Sequence, residues 1–314
     1  MLEKALRVRV KAVVWETDDI RLFDLRPTDG GALPPFTAGA HVDLCLPSGP
    51  VRSYSLINAQ SERHRYVIGV SRDRASRGGS AWLHDTLRCG DVLTVEPPRN
   101  NFSLDETAPF TVLVAGGIGV TPMMSMIKRL AALGTSWRLY YGVRTRRAAA
   151  FIEDLATFSD RVDVRFEDEA GRLDLRAIVA GAPPGSHFYG CGPTGLMAAF
   201  ATATADVSAR RVHLEYFTAR EPAATEGGFV VELARSGRAV AVQAGQSILD
   251  ALKAAGIVVA HSCEQGVCGT CEVGIVSGIA DHRDTILTES ERTEGKTMMI
   301  CCSGAKSAKL VLDL

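Results

Sequence analysis

The chain has 314 residues, 46% of them hydrophobic and 23% charged, which is typical of a globular protein with two or three domains. Its 35 basic and 36 acidic side chains leave a net charge of -1, which disfavours both disorder and a broad electrostatic surface for nucleic acid. The most apolar window, 109–127, is interrupted by glycines and a proline, so no membrane span is predicted.

The first residues, 1–10, alternate charged and apolar side chains and lack the apolar run of a secretory signal. We therefore expect a cytoplasmic protein. In that compartment, the eight cysteines favour a metal or redox site over four disulfides.

Two composition breaks, at 96–101 and 218–228, predict domains over 1–105, 106–222 and 228–314. The first segment has short alternating runs separated by turn residues, the pattern of a small antiparallel β-barrel. The second alternates apolar strands with helices, which predicts an α/β domain with a parallel, doubly wound sheet. The predicted strands are 7–13, 41–46, 65–70, 110–115, 137–141, 162–166, 187–189, 229–234 and 239–242, and the predicted helices are 81–87, 122–133, 148–158, 175–179 and 247–255.

Two short motifs of the first segment suit a flavin. On a predicted strand, Arg52 offers a guanidinium to a phosphate, Tyr54 a ring to a planar cofactor, and Ser53 and Ser55 hydroxyls or N–H groups to the flavin N5 edge. A glycine-containing loop before a helix can bind a phosphate, and here it comprises Arg77, Gly78, Gly79 and Ser80. An ordinary half-buried strand and a turn with a serine cap explain each motif taken alone.

Two glycine loops of the second segment suit a nicotinamide dinucleotide. One closes a strand and opens a helix with Gly116, Gly117, Gly119, Thr121 and Pro122. The other follows a later strand with Cys191, Gly192 and Pro193. Both loops should face one crevice, where the Cys191 thiol either contacts the nicotinamide or is simply small enough to fit between glycines.

The loop after the strand 137–141 carries Arg144, Arg146 and Arg147. Arginines at this place can bind a 2′-phosphate and would favour NADPH, whereas a carboxylate would favour NADH. A solvated basic loop is the alternative.

The third segment carries cysteines at the spacing C-x4-C-x2-C, namely Cys263, Cys268 and Cys271, and a further pair, Cys301 and Cys302. This is the plant-type [2Fe–2S] spacing, in which four thiolates hold two irons. A structural zinc site usually has shorter paired spacings, and inert buried thiols are a further alternative. Only one of the two adjacent cysteines can point inward from an extended strand.

The whole chain resembles the phthalate dioxygenase reductase family, FMN-containing reductases of Rieske oxygenases that include vanillate demethylase reductases. The resemblance rests on R-S-Y-S-L at 52–56, R-G-G-S at 77–80, P-R-N-N-F at 98–102, A-G-G-I-G-V-T-P at 115–122, Y-G-C-G-P at 189–193 and L-V-L-D-L at 310–314.

The resemblance implies a flavin barrel, a nicotinamide domain and a C-terminal β-grasp ferredoxin domain, with FMN rather than FAD. It places Arg52 and Ser80 near the FMN phosphate, Tyr54 and Ser55 along the ring, and Phe217 over the ring. It selects Cys301 as the fourth cluster ligand, and NADH as the usual donor. Ser55, Cys191 and Phe217 are then the residues expected at the reacting rings.

We predict an NAD(P)H-dependent reductase in which hydride passes to FMN and single electrons pass to the cluster. The chain has no Rieske cysteine–histidine pairs, so we expect a separate terminal oxygenase that docks around Glu264, Gln265 and Val267, and a monomer that binds neither nucleic acid nor membrane. The segment 281–284 adjoins that surface or is a solvated turn. A reductase for a cytochrome P450 and a ferredoxin-type carrier without NAD(P)H oxidation are the alternatives.

Overall fold

The computed structural model describes residues 5–47, 49, 51–73 and 78–314. The chain divides into two compact units, Met1–Glu215 and Tyr216–Leu314. The predicted boundary between the barrel and the nucleotide domain, at residue 105, falls inside the first unit. Within the described ranges, no helix is long and apolar enough to cross a membrane.

The barrel predicted for the first segment is an antiparallel sheet of six strands with the order β4-β3-β6-β1-β2-β5. A bridge between Leu56 and Ile68 connects the two edge strands, so the sheet closes around apolar side chains such as Phe23 and Leu44. The strands are β1 (Leu6–Thr17), β2 (Ile20–Pro27), β3 (His41–Cys45), β4 (Val51–Ser55), β5 (Tyr66–Ser71) and β6 (Val92–Val95).

Helix α1 (Gly79–Asp85) lies between β5 and β6 and begins two residues before the predicted helix 81–87. Gly78 precedes it with a φ of 97°, a left-handed conformation that glycine adopts without strain. The predicted phosphate residue Arg77 lies outside the described residues.

The second sheet is parallel, as predicted, with the order β11-β10-β7-β8-β9. Its strands are β7 (Thr111–Gly116), β8 (Trp137–Val143), β9 (Val162–Phe166), β10 (His187–Cys191) and β11 (Val212–Glu215). Its helices are α2 (Val120–Leu133), α3 (Ile152–Ala156), α4 (Glu167–Ala170), α5 (Leu175–Ala180) and α6 (Thr194–Ala203), and 3-10 turns occupy Gly117–Gly119, Arg146–Ala148 and Ala209–Arg211.

The predicted helix 148–158 is wrong in its extent, because only α3 is an α-helix there. Phe151 has a φ of 61°, a left-handed conformation that interrupts helical hydrogen bonding. Its ring is buried and its N–H donates to Glu16 of β1. Tertiary packing therefore outweighs the helical propensity of the alanines before it.

The second unit contains a mixed sheet with the order β13-β12-β18-β14-β16 and a small antiparallel pair, β15 with β17. Strands β12 and β18 are parallel, and their apolar side chains form a core with the helix α7. The elements are β12 (Phe229–Leu233), β13 (Ala239–Val242), α7 (Ile248–Ala254), β14 (Glu272–Ser277), β15 (Ala280–Asp281), α8 (Glu289–Glu294), β16 (Thr297–Met299), β17 (Gly304–Ala305) and β18 (Lys309–Leu312).

Candidate functional site

The cysteine loop connects α7 to β14, and the adjacent cysteines Cys301 and Cys302 follow β16. The thiols of Cys263 and Cys268 are hydrogen-bonded to each other, and Cys301 is hydrogen-bonded to Cys271. In the part of the chain that is described, no three donor side chains converge on a single metal ion. Two pairs of thiols match a cluster of two irons better than one tetrahedral zinc.

Each pair holds one thiol that ionises more readily than the other. The hydrogen bond with Cys263 is the main reason that the pKa of Cys268 is lowered to about 5, and Thr270 contributes through its hydroxyl, 3.2 Å from the Cys268 Sγ. The same bond and burial raise the pKa of Cys263, and the bond to Cys301 with burial raises that of Cys271. Thiolate ligands must lose these protons when metal binds.

The loop backbone approaches the sulfurs closely. The N–H of Gln265 donates to the Sγ of Cys263 over 3.4 Å. Gly266 and Gly269 have φ angles of 70° and 76°, so both positions favour glycine. A Cβ at Gly266 would lie 2.4 Å from the Sγ of Cys302, which leaves no room for a side chain. N–H groups aimed at cluster sulfurs tune its potential.

Of the two adjacent cysteines, Cys301 is the one hydrogen-bonded to Cys271, and it also contacts Cys302. The Cys302 thiol lies 3.8 Å from the carbonyl oxygen of Met299 and 3.9 Å from the hydroxyl of Ser303. This placement supports Cys301 as the fourth ligand and Cys302 as a buried neighbour, which remains a proposal.

Of the predicted phosphate residues, Arg52 lies against the beginning of α1. A Cβ at Gly79 would be 2.9 Å from both the Cγ and the Nε of Arg52, so only glycine leaves room for the guanidinium. This places a cation beside the N-terminus of a helix, which suits a phosphate. The Ser80 hydroxyl accepts a hydrogen bond of 3.1 Å from the N–H of Asp73 and thereby joins helix α1 to the segment that follows β5.

The remaining predicted flavin residues lie on β4. Ser53 donates a hydrogen bond of 2.6 Å to the carboxylate of Asp43. Tyr54 is half-buried, and burial raises the pKa of its phenol, so the ring stays neutral. Ser55 is buried at the end of the strand. Phe217 belongs to the second unit, and 38% of its surface is exposed.

The two glycine loops meet at the carboxyl ends of neighbouring strands. Strands β7 and β10 pair in register with Ala115 opposite Cys191, and the chain order reverses between them, which makes this edge a topological switch point. A Cβ at Gly119 would lie 2.3 Å from the carbonyl oxygen of Cys191, and one at Gly192 would lie 3.0 Å from the N of Gly116. The glycines therefore allow the two loops to touch, which agrees with the expectation that both face one crevice.

The other residues of the first loop serve the helix that follows. Pro122 lies in the first turn of α2, where a missing N–H costs no hydrogen bond. The Thr121 hydroxyl donates a hydrogen bond of 2.8 Å to the carbonyl oxygen of Ile118. Pro193 occupies the position before α6.

Glu215 is a residue that the sequence analysis missed. It ends β11 directly beside Cys191, and its Oε2 is buried without a hydrogen-bond partner among the described residues. Burial raises its pKa to about 8. The Cys191 thiol is also buried, and burial together with the nearby Glu215 raises its pKa. A carboxyl without a hydrogen-bond partner at this edge can accept a hydrogen bond from a bound amide or, when protonated, donate one to it.

The arginine loop after β8 is partly neutralised. Arg146 forms a bidentate pair with Glu169, with distances of 2.7 and 2.9 Å, and lies over the ring of Phe166 at 4.3 Å. Arg144 and Arg147 are exposed. The carboxylate near this loop therefore comes from helix α4, which follows β9.

Two models of protein families match the chain. The 2Fe-2S iron-sulfur cluster binding domain matches residues 231–306, and the oxidoreductase NAD-binding domain matches residues 113–202. They cover the cysteine loop and both glycine loops.

Whole-length relatives match as well. The chain is 56% identical over 308 residues to the phenoxybenzoate dioxygenase subunit beta of Ectopseudomonas oleovorans, covering 98% of this chain and 97% of that protein. A solved structure of phthalate dioxygenase reductase matches with a TM-score of 0.76 and 40% identity, covering 99% of this chain and 98% of that one. An intact type IV self-sufficient cytochrome P450 monooxygenase matches with a TM-score of 0.89 and 42% identity, covering 99% of this chain but only 41% of that structure.

Proposed function

This chain belongs to the phthalate dioxygenase reductase family, and from that premise we infer that it is the reductase component of an oxygenase system. It is an oxidoreductase that carries electrons from NADH through a flavin to a [2Fe–2S] cluster. The observation that carries this function is the occurrence, in one chain, of two paired thiol sites and a nicotinamide crevice. The four thiols without a nicotinamide crevice would instead suit a ferredoxin-type carrier.

The residues present fit the three groups. Arg52 and the beginning of α1 would hold the FMN phosphate, the glycines at 116, 119 and 192 would admit the dinucleotide, and Cys263, Cys268, Cys271 and Cys301 would hold the cluster. When bound, FMN accepts a hydride and releases electrons singly, which a one-electron cluster requires.

The protein's own contribution is binding and orientation. The Arg52 guanidinium balances the charge of a phosphate, and the neutral Tyr54 supplies an apolar ring face on the same strand. The contact between the glycine loops brings backbone N–H groups close to a pyrophosphate. Cys191 and Glu215, side by side at the ends of β10 and β11, would orient the nicotinamide amide and limit access of water.

For the electron acceptor, we propose a separate Rieske-type oxygenase that docks over the cysteine loop. Glu264 is exposed there, Gln265 and Val267 are half-exposed, and Val258 is 94% exposed. Charged and apolar atoms together suit a transient protein interface. We further propose that the chain works as a monomer in the cytoplasm, where all eight cysteines, which form no disulfide within the described residues, remain reduced.

Reconstitution tests the partner. The purified holoprotein is mixed with NADH and a purified Rieske oxygenase, and product is measured per NADH consumed. We expect coupled turnover that is lost when Glu264 is replaced by lysine but kept when the exposed Glu289 of α8 is replaced by lysine. No turnover with Rieske oxygenases, together with turnover with a cytochrome P450, would support the second candidate, which the fused P450 structure favours.

The ribose end of the crevice favours NADH over NADPH. Because Glu169 neutralises Arg146, a 2′-phosphate there would have to break a bidentate ion pair. We predict that Glu169→Gln raises kcat/KM for NADPH about threefold, since an exposed ion pair is worth roughly 0.2–1 kcal/mol, and leaves kcat/KM for NADH nearly unchanged. Stopped-flow reduction with each nucleotide measures the ratio.

The matched control for this variant is Asp313→Asn, which breaks a similar bidentate pair with Arg235 in the second unit. Its NADPH-to-NADH ratio should equal that of the parent protein. An unchanged ratio in Glu169→Gln would show that the pair lies away from the ribose.

A further inference from the structure

A buried polar cluster lies behind the cysteine loop, in the segment that joins β15 to α8. The side chain of His282 is 10% exposed and that of Asp284 is fully buried. The Nδ1 of His282 faces the Oδ1 of Asp284 at 3.8 Å, and neither atom has a hydrogen-bond partner among the described residues. Buried polar atoms without partners cost free energy, so this arrangement calls for an explanation.

The carboxylate of Asp284 is held in place from its other side. Its Oδ2 accepts hydrogen bonds from the backbone N–H groups of Ile286, at 3.0 Å, and Leu287, at 2.8 Å. The Oδ1 is thereby aimed at the imidazole. An imidazole with its proton on Nε2 would turn a lone pair toward that oxygen, whereas a proton on Nδ1 would turn a donor toward it.

This pair is in direct contact with the backbone of the cysteine loop. A Cβ at Gly266 would lie 3.0 Å from the Cα of Asp284, and the N–H of Thr285 donates a hydrogen bond of 2.9 Å to the carbonyl oxygen of Gly266. Gly266 lies between Cys263 and Cys268 in the loop. Negative charge added inside the cysteine loop would therefore act on His282 and Asp284 through buried protein rather than through water.

We propose that the His282–Asp284 pair binds one proton when the cluster in the cysteine loop is reduced, so that electron uptake is coupled to proton uptake. This inference rests on the proposed cluster site. One electron enters the cluster, and one proton from solvent binds to the Nδ1 of His282, which faces the carboxylate of Asp284. No other bond forms or breaks.

The charges around His282 suit such a response. Burial lowers its pKa, and Arg292 and Lys306 lower it further, whereas Asp284 and Asp281 raise it. Burial has the largest influence and keeps the imidazole neutral, whereas the two carboxylates favour its protonated form. One additional negative charge shifts the balance toward the protonated form, because it attracts an imidazolium.

The midpoint potential of the cluster, measured by spectroelectrochemical titration of the holoprotein from pH 5.5 to 9.5, tests the inference. We expect the potential to fall as the pH rises, with a slope approaching 59 mV per tenfold change in proton concentration for one proton and one electron. The slope should flatten below the proton-binding pKa of the oxidised state and above that of the reduced state. His282→Asn should make the potential independent of pH.

The matched control is His261→Asn, which removes an exposed histidine 3.7 Å from Glu264 at the cysteine loop. This variant should keep the slope of the parent protein. If the His282→Asn variant holds no cluster, the Asp284→Asn variant provides the test. Without the carboxylate of Asp284, the pH range over which the midpoint potential falls should move to lower pH. A slope that persists in His282→Asn, or disappears in His261→Asn, would overturn the inference.

A parent protein whose cluster has a pH-independent potential would overturn this inference alone. A parent protein that contains no inorganic sulfide would instead overturn the proposed cluster site, so the two failures are distinguishable.

Discussion

Replacing Cys301 by serine is expected to abolish electron delivery to any terminal oxygenase. The thiol of Cys301 is one half of the pair with Cys271, so its loss leaves one iron with a single protein thiolate. We expect no retained inorganic sulfide, because a cluster that lacks one of its four thiolates is not held. Reduction of cytochrome c should fall close to background, because the chain then lacks its one-electron outlet. Reduction of ferricyanide by NADH should be kept, because that reaction needs only the flavin and the nicotinamide crevice of the first unit.

The adjacent thiol supplies a matched control. Cys302→Ser should keep the cluster, because Cys302 contacts Met299, Ser303 and Cys301 rather than completing the pair with Cys271. Sulfide and iron are assayed per chain in both variants. Loss of the cluster in Cys302→Ser and its retention in Cys301→Ser would reverse the assignment of the fourth ligand.

Gly119→Ala is expected to have the second large effect, on reduction of the flavin by NADH. A Cβ at residue 119 would lie 2.3 Å from the carbonyl oxygen of Cys191 and 2.7 Å from the N of Gly192, so the backbone at the end of β10 must move. A displacement of about 1 Å at a reacting centre can lower a rate about 100-fold. Anaerobic stopped flow should show slower flavin reduction and a higher KM for NADH, with FMN content unchanged.

Gly195→Ala is the control for this variant, since no atom lies within 4 Å of a Cβ at residue 195 in helix α6. Alanine is the better helix former by roughly 0.5–1 kcal/mol, so the control should be slightly more stable and equally active. Equal rates in both alanine variants would show that contact between the loops does not position the nicotinamide.

Elements that depend on contacts between near neighbours in the chain were predicted from the sequence, whereas elements that depend on distant contacts were not. The cysteine spacing, the glycine loops and the strand–helix alternation are local patterns, and each predicted its element because backbone geometry constrains a few neighbouring residues. Strand β11 was not predicted as a strand, because its four alternating residues are too short a run to stand out in the sequence and are ordered by pairing with β10.

The helix predicted over 148–158 failed for the opposite reason. The local propensity was helical, but the burial of Phe151 and its hydrogen bond to Glu16, 135 positions earlier in the chain, hold residue 151 in a left-handed conformation. No window of neighbouring residues contains that partner.

From the sequence alone, the kinds of chemistry were determined: thiol ligands for two irons, phosphate-binding loops and a nucleotide sheet, because these depend on residue types at short spacings. Only the tertiary structure decided which distant groups meet, namely Glu169 with Arg146, Glu215 with Cys191, and Asp284 with Gly266. The reason is physical, because the charge and burial that set the properties of a side chain come from whatever packs against it in space, and chain folding, not sequence proximity, selects those neighbours.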